Sequence, residues 1–186
     1  DALFAATWGV VAVFGKKLGL QMGMITVLHS WGQNLSLHPH LHCIIPGGGM
    51  DATGNWQNIR RSDDSADGKF LFPVKALSKV FRAKYVAELA KSIKLDKELR
   101  ENLFKKNWVV FAKKPFGSPK TVVEYLGRYT HKIAISNHRI LKVDDESVTF
   151  SYKDYRQKGQ KKAMTLTLGE FTRRFAQHIL PKRFVR

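Results

Sequence analysis

Cysteine is almost absent from this 186-residue chain: Cys43 is the only one. A single thiol excludes internal disulfides and any multi-cysteine zinc cluster, and it suits a reducing cytoplasm. Long apolar runs are also missing. No segment approaches the roughly 18 consecutive apolar residues that a membrane span needs, so no membrane partner is expected. The first residues, Asp1 to Phe14, lack the basic start of a secretory signal, and they lack an initiator methionine, so the chain reads as a piece of something longer. There is no internal repeat and no low-complexity segment. Acidic residues are scarce relative to basic ones, with 15 Asp and Glu against 32 Lys and Arg, a formal charge of +17. That excess attracts polyanions and releases counterions from nucleic acid on binding. With 44% hydrophobic residues the chain has material for a core, and its length suits a single domain spanning residues 1–186.

Patterning along the chain predicts an α+β fold with a largely antiparallel sheet flanked by helices. Ala2 to Leu18 reads as an apolar helix ended by Gly19, and Met24 to Trp31 as a strand. Gly32 to Pro39 is turn-rich, and Leu41 to Ile45 is a second strand stopped by Pro46 and Gly47-Gly48-Gly49. Gly54 to Gly68 is polar and reads as a surface loop. Helices are expected from Lys75 to about Ile93 and from about Lys97 to Lys105, followed by a strand at Trp108 to Ala112. Ser118-Pro119, a serine N-cap with proline in the first helical position, opens another helix. Strands are expected at Ile133–Ser136, Arg139–Val143, Val148–Tyr152 and Ala163–Leu168. A final amphipathic helix, Thr167 to Leu180, presents Phe171, Phe175 and Ile179. The strand connections are mostly too short for parallel crossovers.

Chemistry concentrates in two places. The run Leu37-His38-Pro39-His40-Leu41-His42-Cys43-Ile44-Ile45-Pro46 puts His40 and His42 on one face of a strand, with imidazoles about 7 Å apart, a pair able to share a metal ion. If Gly32 to Pro39 folds as a hairpin loop, His29 lies roughly opposite and completes a three-imidazole site; otherwise it bonds a backbone carbonyl at a strand end. His38 reads as a neighbour of the ligands or as solvent-facing, His131 and His138 are weaker candidates, and His178 reads as structural. Imidazole suits zinc or manganese better than magnesium, but phosphate oxygens and water could complete a shell for either Mg²⁺ or Mn²⁺. The second place is Pro119 to Tyr129, where Tyr125 and Tyr129 share one helix face, about 5–6 Å apart at Cβ. Tyrosine is a weak nucleophile, its phenol pKa being about 10. Beside a metal that polarises a phosphodiester it can form a covalent phosphotyrosine. Away from one, the two phenols are packing residues. Lys120, Arg128 and Lys132 surround this helix as candidate phosphate contacts. Tyr152 and Tyr155 read as base-stacking or phosphate contacts or, equally, as packing residues, and Lys161 and Lys162 are candidate nucleic-acid backbone contacts.

Taken together, His29-Ser30-Trp31-Gly32-Gln33-Asn34, His38-Pro39-His40-Leu41-His42 with Pro46-Gly47-Gly48-Gly49, and Tyr125-Leu126-Gly127-Arg128-Tyr129-Thr130-His131 resemble the two-tyrosine rolling-circle transposases of bacterial insertion sequences, the IS-ninety-one family. These are histidine-hydrophobe-histidine (HUH) endonucleases, related to replication initiators and conjugative relaxases. The resemblance implies a ferredoxin-like palm with the metal strand central and the tyrosine helix packed against it. It implies His40 and His42 as metal ligands, with His29 as the third, and Tyr125 and Tyr129 as nucleophiles. It further implies a divalent ion as cofactor and single-stranded DNA at transposon ends and target as partner. The setting would be the bacterial cytoplasm, and a cysteine-rich zinc-binding region and further C-terminal sequence would lie outside this chain. The competing readings are a replication initiator or relaxase with the same chemistry, and a non-catalytic nucleic-acid-binding domain.

Overall fold

The computed structural model describes residues 1–59, 70–130 and 133–179; at positions 128–130 and 156 it describes the backbone alone. The architecture is α+β, and every strand pair with a defined register is antiparallel. The Cα atoms cluster into two compact units: residues 1–26 with 43–123, and residues 27–42 with 124–186.

The first unit contains helix α1 (Ala2–Lys17), strands β3 (Gly48–Met50) and β4 (Trp56–Asn58), and helices α2 (Val74–Ser92) and α3 (Lys97–Lys105). Its core gathers Val11, Met22 and Phe72, with Phe14, Leu20, Ile45 and Leu77 packed around them. The second strand ends at Ile44, before Pro46 and the glycine run as expected, and the glycines themselves open a further strand. In the β3–β4 ladder Gly48 faces Asn58 and Gly49 faces Gln57. A Cβ on Gly48 would collide with the Gln57 carbonyl oxygen and lie 2.7 Å from the Trp56 ring, so the close approach requires glycine. β4 also falls inside the stretch expected to be loop, most of whose remainder lies outside the described residues.

Helix α3 starts where Asp96 accepts from the Leu99 amide at 2.7 Å, as an N-cap should. Beyond it, Trp108 to Ala112 forms no strand and pairs with no described strand, contrary to expectation. Its β-branched and aromatic residues supply propensity without a partner ladder. Side chains hold it instead: the Ser78 hydroxyl donates to the Trp108 carbonyl, Trp108 Nε1 donates to the Leu103 carbonyl at 2.9 Å, and Phe81 and Tyr85 pack on the indole.

The second unit contains most of the hairpin formed by β1 (Ile25–Trp31) and β2 (Leu37–Ile44), the C-terminal part of helix α4 (Pro119–Thr130), the meander β5 (Ile140–Val143), β6 (Ser147–Asp154) and β7 (Gln160–Thr167), and helix α5 (Leu168–Ala176). A five-residue connection between β1 and β2 leaves only an antiparallel hairpin possible. β2 starts earlier than expected, at Leu37, and so includes Pro39. Among the described residues it pairs with β1 alone, and a one-sided strand tolerates a residue without an N–H. Among the described residues this hairpin is a two-stranded sheet, so the implied central metal strand is not observed.

Trp31, Leu35, Ala134, Ile135 and Phe150 form the core of this unit, with Ile140, Met164, Leu166, Phe171 and Phe175 against it. Ile133 to Ser136, expected as a strand, is a bend whose Ala134 and Ile135 are apolar because they are buried. α5 is shorter than expected, and Ile179 lies past its end, exposed rather than on the apolar side.

Candidate active site

The β1–β2 hairpin brings together the three histidines that spacing singled out. His29 on β1 and His40 and His42 on β2 each offer a ring nitrogen, and these nitrogens all lie within 4.8 Å of one another. The ring centroids are 5.5 Å (His29–His40), 4.5 Å (His29–His42) and 5.0 Å (His40–His42) apart. His29 is 2% exposed and stacks on Trp31 at 4.8 Å, which fixes its ring from behind, while His40 and His42 are half-buried.

Backbone chemistry sets one tautomer. His40 Nδ1 lies 2.8 Å from the His38 carbonyl oxygen. A carbonyl only accepts, so Nδ1 carries the proton and Nε2 presents the lone pair that a metal requires. Such an outer hydrogen bond typically orients a ligating imidazole. The donor set, three imidazoles with one buried and two at the surface, fits a divalent ion that keeps positions open for phosphate oxygens.

The tyrosine helix reaches the same place. The α4 start forms as its sequence predicts: the Thr121 amide donates to Ser118 Oγ at 3.4 Å, and the Ser118 amide donates to Thr121 Oγ1 at 3.3 Å. Two turns on, the Tyr125 hydroxyl lies 3.3 Å from His42 Nδ1. If Nε2 of His42 is ligated, Nδ1 is protonated and donates to the phenol oxygen, favouring phenolate. If Nδ1 is unprotonated, it accepts the phenol proton. Tyr129 lies on α4 four residues further on, but its side chain and that of Arg128 are outside the description, as are His131 and Lys132.

The other expected positions are scattered. Lys120 is exposed in the first turn of α4. Lys162 is tied to Asp154 at 2.8 Å, which raises its pKa and occupies its charge. Lys161 is exposed and stands opposite Lys153 in the β6–β7 ladder, where two like charges repel unless an anion joins them. Tyr155 is 71% exposed, Tyr152 is half-buried and His138 is exposed.

Motif reading missed what holds the hairpin turn. Gly32 to Ser36 closes through the Gly32 amide to the Ser36 carbonyl at 2.9 Å and the Leu35 amide to the Gly32 carbonyl at 3.1 Å. Leu35 takes φ +61° there, a left-handed conformation unusual for leucine, and is 0% exposed. Three successive carbonyls of this turn accept from distant side chains. The Arg139 guanidinium donates to Gln33, Arg174 Nη1 to Asn34 at 3.4 Å, and His178 Nε2 to Leu35 at 3.1 Å. The other ring nitrogen of His178 accepts from Ser30 Oγ at 3.1 Å, next to His29 in sequence. Burial lowers the Arg139 pKa, and Glu170 orients Arg174 through a 2.7 Å ion pair. No spacing in the sequence links positions 139, 174 and 178 to a turn more than a hundred residues earlier.

With this geometry in place, comparison with known proteins is informative. Residues 23–186 match a family model, Y2_Tnp, described as "Putative transposase". The chain belongs to the Y2_Tnp transposase family. This family member is 40% identical over 200 residues to the "Putative transposase y4qJ" of Sinorhizobium fredii, an alignment covering 98% of this chain and 48% of the relative. It is 26% identical over 193 residues to the "Transposase for insertion sequence element IS801" of Pseudomonas savastanoi pv. phaseolicola, covering 99% of this chain and 46% of the relative. The chain thus spans about half the length of these curated transposases. No solved structure matches it. No helix among the described residues is long and apolar enough to cross a membrane.

Proposed function

We propose that this chain is the catalytic core of a metal-dependent endonuclease and strand transferase that acts on single-stranded DNA in rolling-circle transposition, in the bacterial cytoplasm. The observation that carries the reading is the Tyr125 phenol 3.3 Å from His42, one of three clustered histidines. His29, His40 and His42 hold the divalent ion, Mg²⁺ or Mn²⁺, which supplies Lewis-acid polarisation of a phosphate oxygen when bound. His42 Nδ1 favours the phenolate of Tyr125 by the hydrogen bond described above. The phenolate oxygen forms a bond to phosphorus while the bond from phosphorus to the 3′ oxygen breaks, and a proton returns to that oxygen. The products are a 5′-phosphotyrosine and a free 3′-hydroxyl, and the retained ester permits rejoining. Tyr129, one turn along α4, serves a second transfer. Lys120, Arg128, Lys132 and Lys161, with Tyr152 and Tyr155, contact the strand. Family membership favours transposition over the replication initiators and relaxases that share the chemistry.

The test uses a labelled single-stranded oligonucleotide carrying the element's end, with Mn²⁺ or Mg²⁺. The expected result is a denaturation-resistant protein–DNA adduct that EDTA abolishes and that Tyr125→Phe with Tyr129→Phe removes. A chain that binds this oligonucleotide and yields no adduct is a non-catalytic binding domain, and the proposal fails.

A further inference from the structure

Residues 102–123 contain five lysines (105, 106, 113, 114 and 120) and no aspartate or glutamate, in the stretch that leads into α4. Within it, exposure alternates from Trp108 to Ala112. Trp108, Val110 and Ala112 are half-buried, while Val109 and Phe111 are 90% and 81% exposed. A phenyl ring this exposed gains little from folding, and the bonds from Ser78 and to Leu103 anchor Trp108 three residues earlier. Lys105, Lys106, Lys113 and Lys114 are exposed to either side in sequence.

We infer that this segment is a stacking platform for single-stranded DNA, with Phe111 under a base, Val109 beside it and the flanking lysines on phosphates. Two features fix the occupant. A cationic stretch without acidic residues is complementary to a polyanion and opposes a second copy of the same charge. An exposed aromatic ring also needs an unstacked base face, which a duplex does not offer. The inference deepens the DNA-processing reading and rests on it for the biological role of the contact. Stacking on Phe111 requires neither the three clustered histidines nor Tyr125 and Tyr129.

The experiment is fluorescence anisotropy of labelled oligothymidine in EDTA, single-stranded and annealed to its complement, over a salt series. Phe111→Ala should weaken single-strand binding by about five- to a hundredfold, should leave the salt slope unchanged, and should leave duplex binding unchanged. Phe111→Trp should restore affinity, with its fluorescence quenched by DNA. Lys113→Gln with Lys114→Gln should instead flatten the logarithmic salt slope by about 1.4. Unchanged single-strand affinity in both variants overturns the inference, as does a loss of self-association in sedimentation with DNA binding intact. Because EDTA is present throughout, failure here leaves the adduct test untouched, and failure of the adduct test leaves this one readable.

Discussion

Replacing His178 tests whether the hairpin that presents the histidines depends on its remote anchors. His178 is 4% exposed and satisfied at both ring nitrogens, donating to the Leu35 carbonyl and accepting from Ser30 Oγ. His178→Phe keeps a ring of similar size and removes both bonds. Stranding the carbonyl of a fully buried residue costs about 1–3 kcal/mol, and the lost serine bond about 1 more, so the expected destabilisation is about 2–4 kcal/mol. His178→Ala adds the cost of a cavity beside Trp31, for a total of about 3–5 kcal/mol. Ser30→Ala alone should cost about 1 kcal/mol, and that cost should vanish in the His178→Phe background, a coupling a double-mutant cycle resolves. Trp31 is the one tryptophan of the second unit, since Trp8, Trp56 and Trp108 belong to the first. Urea unfolding followed by fluorine NMR of 5-fluorotryptophan therefore reports this unit separately. A His178→Phe protein within about 0.5 kcal/mol of wild type would refute the reasoning, because the turn would then hold its conformation without the bond.

Two other perturbations read different parts of the fold. Gly48→Ala forces a methyl group against the Trp56 ring and should destabilise the first unit by about 1–3 kcal/mol, seen as a lower urea midpoint at Trp56, whereas Gly54→Ala at the open turn should report only backbone strain. Burial pushes the Cys43 thiol up from 9.0 to about 11, so at pH 8 its alkylation by iodoacetamide should run about a hundredfold slower in the native chain than in urea; the raised value also means that its contribution to stability is intact below pH 9 and is lost as pH climbs toward 11.

How far the sequence could be read depended on whether the signal was local. Alternation placed His40 and His42 on one strand face, and the short turn put His29 opposite them, because both follow from strand period and loop length. The α4 start followed from Ser118 and Pro119, whose cap chemistry is contained in four residues. Strand pairing was less legible. Trp108 to Ala112 and Ile133 to Ser136 have the composition of strands, but the first pairs with no described strand and the second is apolar because Ala134 and Ile135 fill the core. Composition reports that a residue fits a pleated, half-buried surface, and it is silent on whether a neighbouring strand exists. The glycine run was legible as a strand stop but not as a strand: its need for glycine comes from the Gln57 carbonyl and the Trp56 ring, seen only once β3 and β4 are paired.

The same distinction separates the chemistry of the site from its positioning. A two-stranded hairpin is marginal on its own, so the strands bearing His29, His40 and His42 need support from elsewhere. That support is specific. Trp31 and Leu35 enter the core from either side of the turn, and Arg139, Arg174 and His178 take its three successive carbonyls. Arg174 shares α5 with Phe171 and Phe175 of the same core, His178 follows that helix, and Arg139 precedes Ile140, which also packs on the core, so the spacing of the two histidine-bearing strands depends on packing near the end of the chain. Ligand spacing tolerates little error, since a displacement of about 1 Å already degrades a preorganised site. Substitutions at the three donors should therefore weaken divalent-ion binding without touching a histidine of the cluster.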